Sequence, residues 1–298
     1  MTGFRVVIVY FLFLFNGVAA AVENPSPDSL RDLARLKQDS NPARLQALQE
    51  ILREREITYE VQTFQSSQSP HGRTQGANVV ITFGNGPREI TVAAHYDALE
   101  LPRGGMIDGM LDNGAGSITL IRVAEALKGR KLRHRVRIVL FDMEEIGLEG
   151  SRKYVDAHKE EILAGINLDV AGFGDSVFYG FSKTPGTERI RKALMTACAD
   201  QALLCVDSEN FPGGDDRSFR AANIPVVSLS FAPRLTAFQI WMLLNHPEKS
   251  GLQSGFMPDF FKILHSPEDN LSKIDPATLD LGFQLVLNTI LKLDAALE

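Results

Sequence analysis

Apolar residues near the start of the chain recur at three- and four-residue intervals. This spacing over residues 29–36 and 43–52 predicts two helices, separated by an Asn-Pro pair. Apolar and polar residues then alternate over 57–64, and an apolar run at 78–83 ends in a glycine-rich turn. We therefore expect two helices followed by two strands in this part of the chain.

From residue 88 onward, short apolar segments alternate with segments of helical spacing about 10–15 residues long. This rhythm is typical of strand–helix–strand units, so it predicts an α/β fold with a mostly parallel central sheet and helices on both faces. The predicted strands are 89–94, 136–141, 165–169 and 225–231, and the predicted helices are 115–128, 148–158, 188–200 and 276–296. The sequence has no internal repeats or low-complexity linker, so residues 22–298 are expected to form a single domain.

The apolar stretch 232–262 departs from this rhythm and comes just before His265. Its simplest interpretation is ordinary core helix. The functional alternative is a lid or pocket wall over a site, because long inserted segments next to sites often have that role.

The first 21 residues have the pattern of an export signal. An apolar run over 6–15 is followed by small residues up to Ala21, and the run is shorter than the roughly 20 apolar residues of a membrane-spanning helix. We therefore expect cleavage of a signal peptide, 1–21, a periplasmic or extracellular mature protein, and no lasting membrane anchor. In an oxidising compartment Cys198 and Cys205 can form a disulfide, with two buried thiols as the alternative.

The composition indicates which class of binding partner is not expected. The chain has 298 residues, of which 44% are hydrophobic, and a formal net charge of -6 at pH 7. This apolar content suffices for a large globular core. The sequence has no basic stripe, so we do not expect a nucleic acid as partner.

Acids and a histidine follow the predicted strands at the point where each strand ends. His95 and Asp97 follow the first strand, Glu144 and Glu145 follow the second, and Asp169 ends the third. Ligands of open α/β sheets bind beyond the carboxyl ends of the strands, so we expect these side chains to share one site.

Two further residues complete a set of metal ligands. Asp112 lies in a glycine-rich loop before a helix, and His265 comes late in the chain. Zinc binds imidazole nitrogen and carboxylate oxygen, and a pair of zinc ions needs one bridging carboxylate. We expect the first ion on His95, Asp112 and Asp169. The second ion is then expected on Asp112, Glu145 and His265.

Glu144 and Asp97 are assigned other roles. If Glu145 binds metal, Glu144 can face the attacking water as general base, because adjacent residues at a strand end diverge. Asp97 is expected to hydrogen-bond the imidazole of His95 and to set its tautomer. Taken singly, each of these residues has a simpler interpretation as a solvated loop residue, a helix cap or a structural histidine. Only their combination and order indicate a catalytic site.

Five motifs follow one another along the chain: His95-Tyr-Asp97, Gly109-Met-Leu-Asp112-Asn113-Gly-Ala-Gly116, Phe141-Asp-Met-Glu144-Glu145-Ile-Gly-Leu-Glu-Gly-Ser151, Asn167-Leu-Asp169 and His265-Ser-Pro-Glu-Asp269. Their order resembles that of the M28 family of zinc metallopeptidases, over residues 75–298. The resemblance implies a phosphorylase/hydrolase-like fold with co-catalytic zinc, two ions on the ligands above, and Glu144 as base. It also implies an aminopeptidase that acts on peptides with a free N-terminus.

Two positions depart from the family pattern. Many members have Ser-Asp-His where this chain has Gly214-Asp215-Asp216, which leaves that segment without an assigned role. Some members have a tyrosine before the last histidine ligand, where this chain has Leu264. Stabilisation of the oxyanion is then expected from the metals or from another donor.

Two other functions stay open at this point. Glutaminyl cyclases share the fold and use a single zinc to close an N-terminal glutamine onto itself, and they resemble this chain in the Glu144-Glu145 pair and the late His265. The Asp112-Asn113-Gly-Ala-Gly116 loop and the complete set of ligands favour hydrolysis. A non-catalytic binding domain is the other alternative, and the intact ligand set argues against it.

Overall fold

The computed structural model describes residues 27–66, 72–251 and 255–297. The predicted signal peptide, 1–21, lies outside these residues. Among the described helices, none is both long enough and apolar enough to cross a membrane.

The described chain begins with two helices and an antiparallel pair of strands. Helix α1 spans Pro27–Arg35, and α2 spans Asn41–Glu54. The Asn-Pro pair forms the first turn of α2, where proline is tolerated because its missing amide would have no helical partner. Strand β1, Glu60–Gln65, pairs with β2, Gln75–Phe83. The two helices and two strands expected here are confirmed.

The central part of the fold is one mixed sheet. The remaining strands are β3 Glu89–His95, β4 Arg135–Phe141, β5 Ile162–Leu168, β6 Ser176–Phe181, β7 Leu204–Ser208 and β8 Val226–Ala232. Within the described residues the order is β1-β2-β4-β3-β5-β8-β6-β7. The four central strands β4, β3, β5 and β8 are parallel, so their carboxyl ends meet at one edge of the sheet.

Helices cover both faces of this sheet. They are α3 Ala115–Leu127, α4 Glu149–His158, α5 Thr187–Asp200, α6 Asp216–Ala221, α7 Arg234–Asn245, α8 Asp259–Ile263 and α9 Pro276–Ala296. Buried residues of α3, α5 and α9 pack with Ile90, Val92 and Ala94 of β3, whereas α4 and α6 pack with Ala93 on the opposite face. Since successive side chains of a strand point to opposite faces, a fully buried β3 requires helices on both sides.

The predicted strands and helices of the α/β region are confirmed, with ends that differ by a few residues. The sequence pattern missed β6, β7 and α6. Strand β7 lies at the edge of the sheet and is half-buried, so it lacks a continuous apolar run. Helix α6 has six residues, which is too short to show a helical period.

A disulfide between Cys198 and Cys205 ties the end of α5 to β7. The alternative of two buried thiols is therefore wrong. A disulfide stabilises a protein mainly by lowering the entropy of the unfolded chain, and the short separation of seven residues limits that effect here.

Removing this disulfide should lower stability without changing the fold. The double variant Cys198→Ala, Cys205→Ala should have a free energy of unfolding about 2–3 kcal/mol below that of the wild type, because its unfolded chain is less constrained. Urea denaturation followed by circular dichroism measures the difference. Equal urea midpoints for the two proteins would show that the bond contributes nothing to stability.

Candidate active site

Two histidines and three carboxylates meet at the carboxyl edge of the parallel strands. His95 is the last residue of β3, Glu145 follows β4, and Asp169 follows β5. The turn before α3 brings in Asp112, and the residues after α8 bring in His265. The structure thus brings together all five residues that the sequence predicts as metal ligands.

Asp112 lies between two groups of potential ligands. His95, Asp112 and Asp169 form the first group, and Asp112, Glu145 and His265 form the second; within each group, ligand atoms lie within 4.8 Å of one another. Oδ1 of Asp112 is 3.0 Å from Nε2 of His95, while its Oδ2 is 3.2 Å from Nε2 of His265. The two carboxylate oxygens therefore face different groups, which is the arrangement expected of a bridging ligand.

A second acid, Asp269, holds the backbone around Asp112. Its carboxylate accepts hydrogen bonds from the Leu111 amide at 2.6 Å and from the Asp112 amide at 3.1 Å. The Asn113 side chain donates to the carbonyl of Leu168 at 2.8 Å, which ties the same turn to the end of β5. The Asp112–Asn113 peptide bond is cis. Asp269 belongs to the last sequence motif, but nothing in its spacing shows that it contacts this distant turn.

Asp97 contacts His95 through its main chain. Nδ1 of His95 lies 3.1 Å from the Asp97 carbonyl oxygen and 3.6 Å from its carboxylate Oδ1. The carboxylate instead accepts hydrogen bonds from the amides of Glu144 at 3.1 Å and Glu145 at 3.2 Å. The expected contact between Asp97 and the imidazole is thus made by the Asp97 carbonyl, while the Asp97 carboxylate holds the turn that carries the two glutamates.

Burial and neighbouring acids control the protonation of these glutamates. Burial raises the pKa of Glu144 well above its ordinary value, and the charges of Asp169 and Asp215 raise it further. Burial likewise raises the pKa of Glu145 to about 7, and the charge of Asp112 adds to the effect. Oε1 of Glu145 is buried and has no hydrogen-bond partner among the described residues. Such crowded, partly unpaired acids cost free energy unless a cation neutralises them.

The donor set fits zinc. Imidazole nitrogen and carboxylate oxygen are the ligands found in catalytic zinc sites, which also keep one position open. The side chains of His95 and Glu145 are buried, whereas that of His265 is 56% exposed. The second group therefore has an open side, as such a site requires.

The residues before and within α6 lie next to the two groups of potential ligands. A Cβ on Gly214 would overlap Oδ2 of Asp169 and lie 2.9 Å from Oε1 of Glu144. The buried carboxylate of Asp216 accepts hydrogen bonds from the Gly214 amide at 3.0 Å and from Nε of Arg220 at 2.5 Å. Asp216, which stands where many members of the family have histidine, therefore fixes the backbone next to the two acids.

Asp215 is a further buried acid that the sequence left without a role. Asp215 is 1% exposed, and neither carboxylate oxygen has a donor at normal hydrogen-bond distance in the described part of the chain, although the Ser151 hydroxyl is near enough to lower its pKa. Burial raises the pKa of Asp215 to about 7, and its charge in turn raises the pKa of Glu144. It therefore belongs to the electrostatic surroundings of Glu144.

Four non-glycine residues at this edge have a left-handed backbone: Met143, Leu148, Val170 and His265, with φ of 59°, 60°, 66° and 56°. Each such residue costs about 1–3 kcal/mol and persists only where the surrounding contacts determine its conformation. The backbone is thus strained where Glu144, Glu145, Asp169 and His265 are presented.

A cavity of about 180 Å³ opens next to the two groups. Asp112, Glu144, Asp169 and His265 lie at its polar end. Its apolar wall consists of Val170, Phe178, Phe211, Ile240, Phe260, Phe261 and Leu264. The stretch 232–262, which was expected to be core helix or pocket wall, contributes three of these side chains.

Comparison with known proteins agrees with the motifs. The family model described as Peptidase family M28 matches residues 78–290. Leupeptin-inactivating enzyme 1 of Streptomyces exfoliatus is 29% identical over 251 residues, covering 80% of this chain and 52% of that protein. The chain spans about half the length, or less, of the curated relatives it matches.

Two solved structures have the same fold. The LapA aminopeptidase of Legionella pneumophila aligns with a TM-score of 0.67 and 16% identity, over 99% of this chain and 79% of that chain. The glutaminyl cyclase of Fimbriiglobus ruber also aligns with a TM-score of 0.67, at 14% identity, over 91% of this chain and 96% of that chain. Both likenesses establish the α/β fold and do not distinguish the two activities.

Because Gly214 lies against Asp169 and Glu144, we expect that a methyl group added at Gly214 disturbs the site. Gly214→Ala should weaken zinc binding about 10–100-fold, because its Cβ displaces the Asp169 carboxylate. Gly213→Ala is the matched control, since the three atoms nearest to a Cβ there all belong to the flexible side chain of Arg217. Competition with a chromogenic chelator measures both affinities. Equal zinc affinity in the two variants would contradict the proposed contact.

Proposed function

This chain belongs to peptidase family M28, and on that premise we propose that it is a zinc-dependent aminopeptidase that releases N-terminal residues from peptides. One observation carries the proposal: two ligand groups share Asp112, with Glu144 beside them at the polar end of an apolar cavity. We propose two zinc ions per chain, one on each group.

The five ligand residues would hold the zinc ions. Asp112 would be the bridging residue, because its two carboxylate oxygens face different groups. The unpaired Oε1 of Glu145 supports a cation on the second group, since a buried carboxylate oxygen without a partner is unfavourable. When bound, zinc lowers the pKa of water and polarises the carbonyl of the scissile amide.

Glu144 is the proposed general base. It lines the cavity beside Asp112 and Asp169, so its carboxylate can reach a water at the polar end. It accepts the proton that this water loses on attack and returns it to the leaving nitrogen. Burial raises the pKa of Glu144 in the metal-free site, and the positive charge of bound zinc would oppose that shift.

The cavity suggests which N-terminal residue is preferred. The rest of its lining is mostly aromatic and aliphatic, and among the described residues it includes no charged side chain besides those of Asp112, Glu144, Asp169 and His265. A large apolar side chain would therefore occupy it, with the amide to be cleaved held beside Glu144. We propose peptides with a free N-terminus and a bulky apolar first residue as substrates.

We also propose that the protein acts outside the cytoplasm. The pattern of residues 1–21 and the Cys198–Cys205 disulfide both support export to a periplasmic or extracellular space, since disulfides persist in oxidising compartments.

Glutaminyl cyclisation with one zinc is the second candidate function. The observation that favours it is the alignment over nearly the whole of a glutaminyl cyclase. The LapA aminopeptidase aligns equally well, so the choice depends on the residues. Two complete ligand groups around Asp112 support the peptidase, because a transferase with one zinc has no need of the second.

Two separate substitutions should distinguish a role in proton transfer from a role in metal binding. Glu144→Gln should lower kcat about 10²–10⁴-fold and keep two zinc ions, because it removes only the base. Asp112→Ala should lose zinc as well as activity, because it removes the bridging ligand. Atomic absorption gives the zinc content, and Glu160→Gln, an exposed glutamate outside the site, serves as control.

The same preparations decide between the two functions. A wild-type protein that saturates with one zinc, leaves free-amine peptides intact and cyclises N-terminal glutamine would overturn the peptidase proposal in favour of the transferase.

Substrate preference should follow the cavity wall. Leucyl and phenylalanyl p-nitroanilides should have kcat/KM values at least about tenfold above the glycyl and aspartyl compounds, and N-acetylated leucyl p-nitroanilide should resist cleavage. Phe261→Ala should reduce this preference, because Phe261 lines the cavity. Phe256→Ala removes an exposed aromatic side chain outside the lining and should leave it unchanged. Faster cleavage of the aspartyl compound would refute the assigned pocket.

A further inference from the structure

Arg44 is a fully buried cation close to the ligand loops. It lies on α2, outside residues 78–290 that match the family model. Within the described residues no carboxylate comes within ion-pair distance of its guanidinium. A buried charge without an ionic partner is costly, so its other contacts require an explanation.

The guanidinium donates to three main-chain carbonyl oxygens. Nε donates to Tyr96 at 2.6 Å, Nη1 to Asp108 at 2.5 Å, and Nη2 to Gly109 at 2.8 Å. The planar fork of an arginine can satisfy several acceptors at fixed angles, which a lysine ammonium cannot reproduce. One side chain therefore joins the beginning and the end of the connection between β3 and α3.

Both ends of this connection carry proposed zinc ligands. Tyr96 lies between His95 and Asp97, and Gly109 begins the turn that presents Asp112. A second residue of α2, Asn41, also binds the segment that follows His95. Its side chain donates to the Ala98 carbonyl at 3.0 Å and accepts from the Ala98 amide at 2.9 Å. The start of α2 thus forms one side of the site.

The charge of Arg44 acts on the same residues. Burial lowers its pKa to about 10, and the charges of Asp97, Asp269, Glu145 and Asp112 oppose this shift. The guanidinium therefore stays protonated at neutral pH and offsets part of the repulsion among these acids.

We propose that Arg44 is a positioning residue of the metal site: it holds the loop after β3 against the turn before α3, so that His95 and Asp112 face each other. The inference rests on the proposed zinc site. It assigns a role in that site to the helical segment that precedes the family match.

Arg55, at the C-terminal end of α2, is a matched control. It follows the last residue of α2 and pairs with buried Asp32 of α1 at 2.9 Å and with Glu125 of α3 at 2.6 Å. Its loss should lower the stability of the helical packing without affecting either end of the connection between β3 and α3.

Zinc affinity of the full-length protein separates positioning from stability. Arg44→Met and Arg44→Lys should each bind zinc about 10–100-fold more weakly than the wild type, as measured by competition with a chelator. Arg55→Met should melt at a lower temperature with unchanged zinc affinity. Wild-type affinity in Arg44→Lys would overturn the proposal, because charge alone would then suffice. An equal loss of affinity in Arg55→Met would also overturn it.

Hydrogen exchange of the metal-free proteins tests the contact independently of zinc. Amides of residues 96–98 and 109–114 should exchange faster in Arg44→Met than in the wild type, and at the wild-type rate in Arg55→Met. If the wild type binds no zinc, the proposed function fails and this exchange alone decides the role of Arg44. Unchanged exchange in both loops refutes the positioning role, whatever the zinc affinity.

Discussion

The site depends on keeping several buried carboxylates within a few ångströms of one another. Asp112 is shared by the two ligand groups, while Glu144 and Asp215 lie close enough for their charges to interact. Like charges at such distances repel strongly in a buried environment. The fold must therefore supply rigid attachment for each acid, and the proposed zinc ions supply the opposite charge.

Rigid attachment comes from main-chain contacts more than from ion pairs. Asp97 holds the amides of Glu144 and Glu145, and Asp269 holds the turn at Asp112. Asp216 holds Gly214 in the same way. In each case an acid that lies outside the proposed ligand set fixes the backbone of a ligand or of a neighbouring residue. The surroundings of a metal site commonly determine its geometry in this manner.

The sequence predicted the parts that have a local pattern. Strand β3 is a continuous apolar run, and His95 at its end marks the edge where ligands gather. Contacts between distant segments have no such pattern. Arg44 contacts Tyr96 and Gly109 only in the folded chain, and Asp269 contacts Leu111 only there as well. Short elements such as α6 were missed for a related reason, since one helical turn and a half cannot display a period.

The central claim is that Asp112 bridges two zinc ions, and anomalous X-ray scattering tests it most directly. A crystal of the zinc-loaded protein, measured on both sides of the zinc absorption edge, should show two peaks about 3.5–4 Å apart, with Asp112 between them. One peak should lie beside His95 and Asp169, and the other beside Glu145 and His265. A single peak in a zinc-saturated crystal, or peaks away from Asp112, would contradict the account.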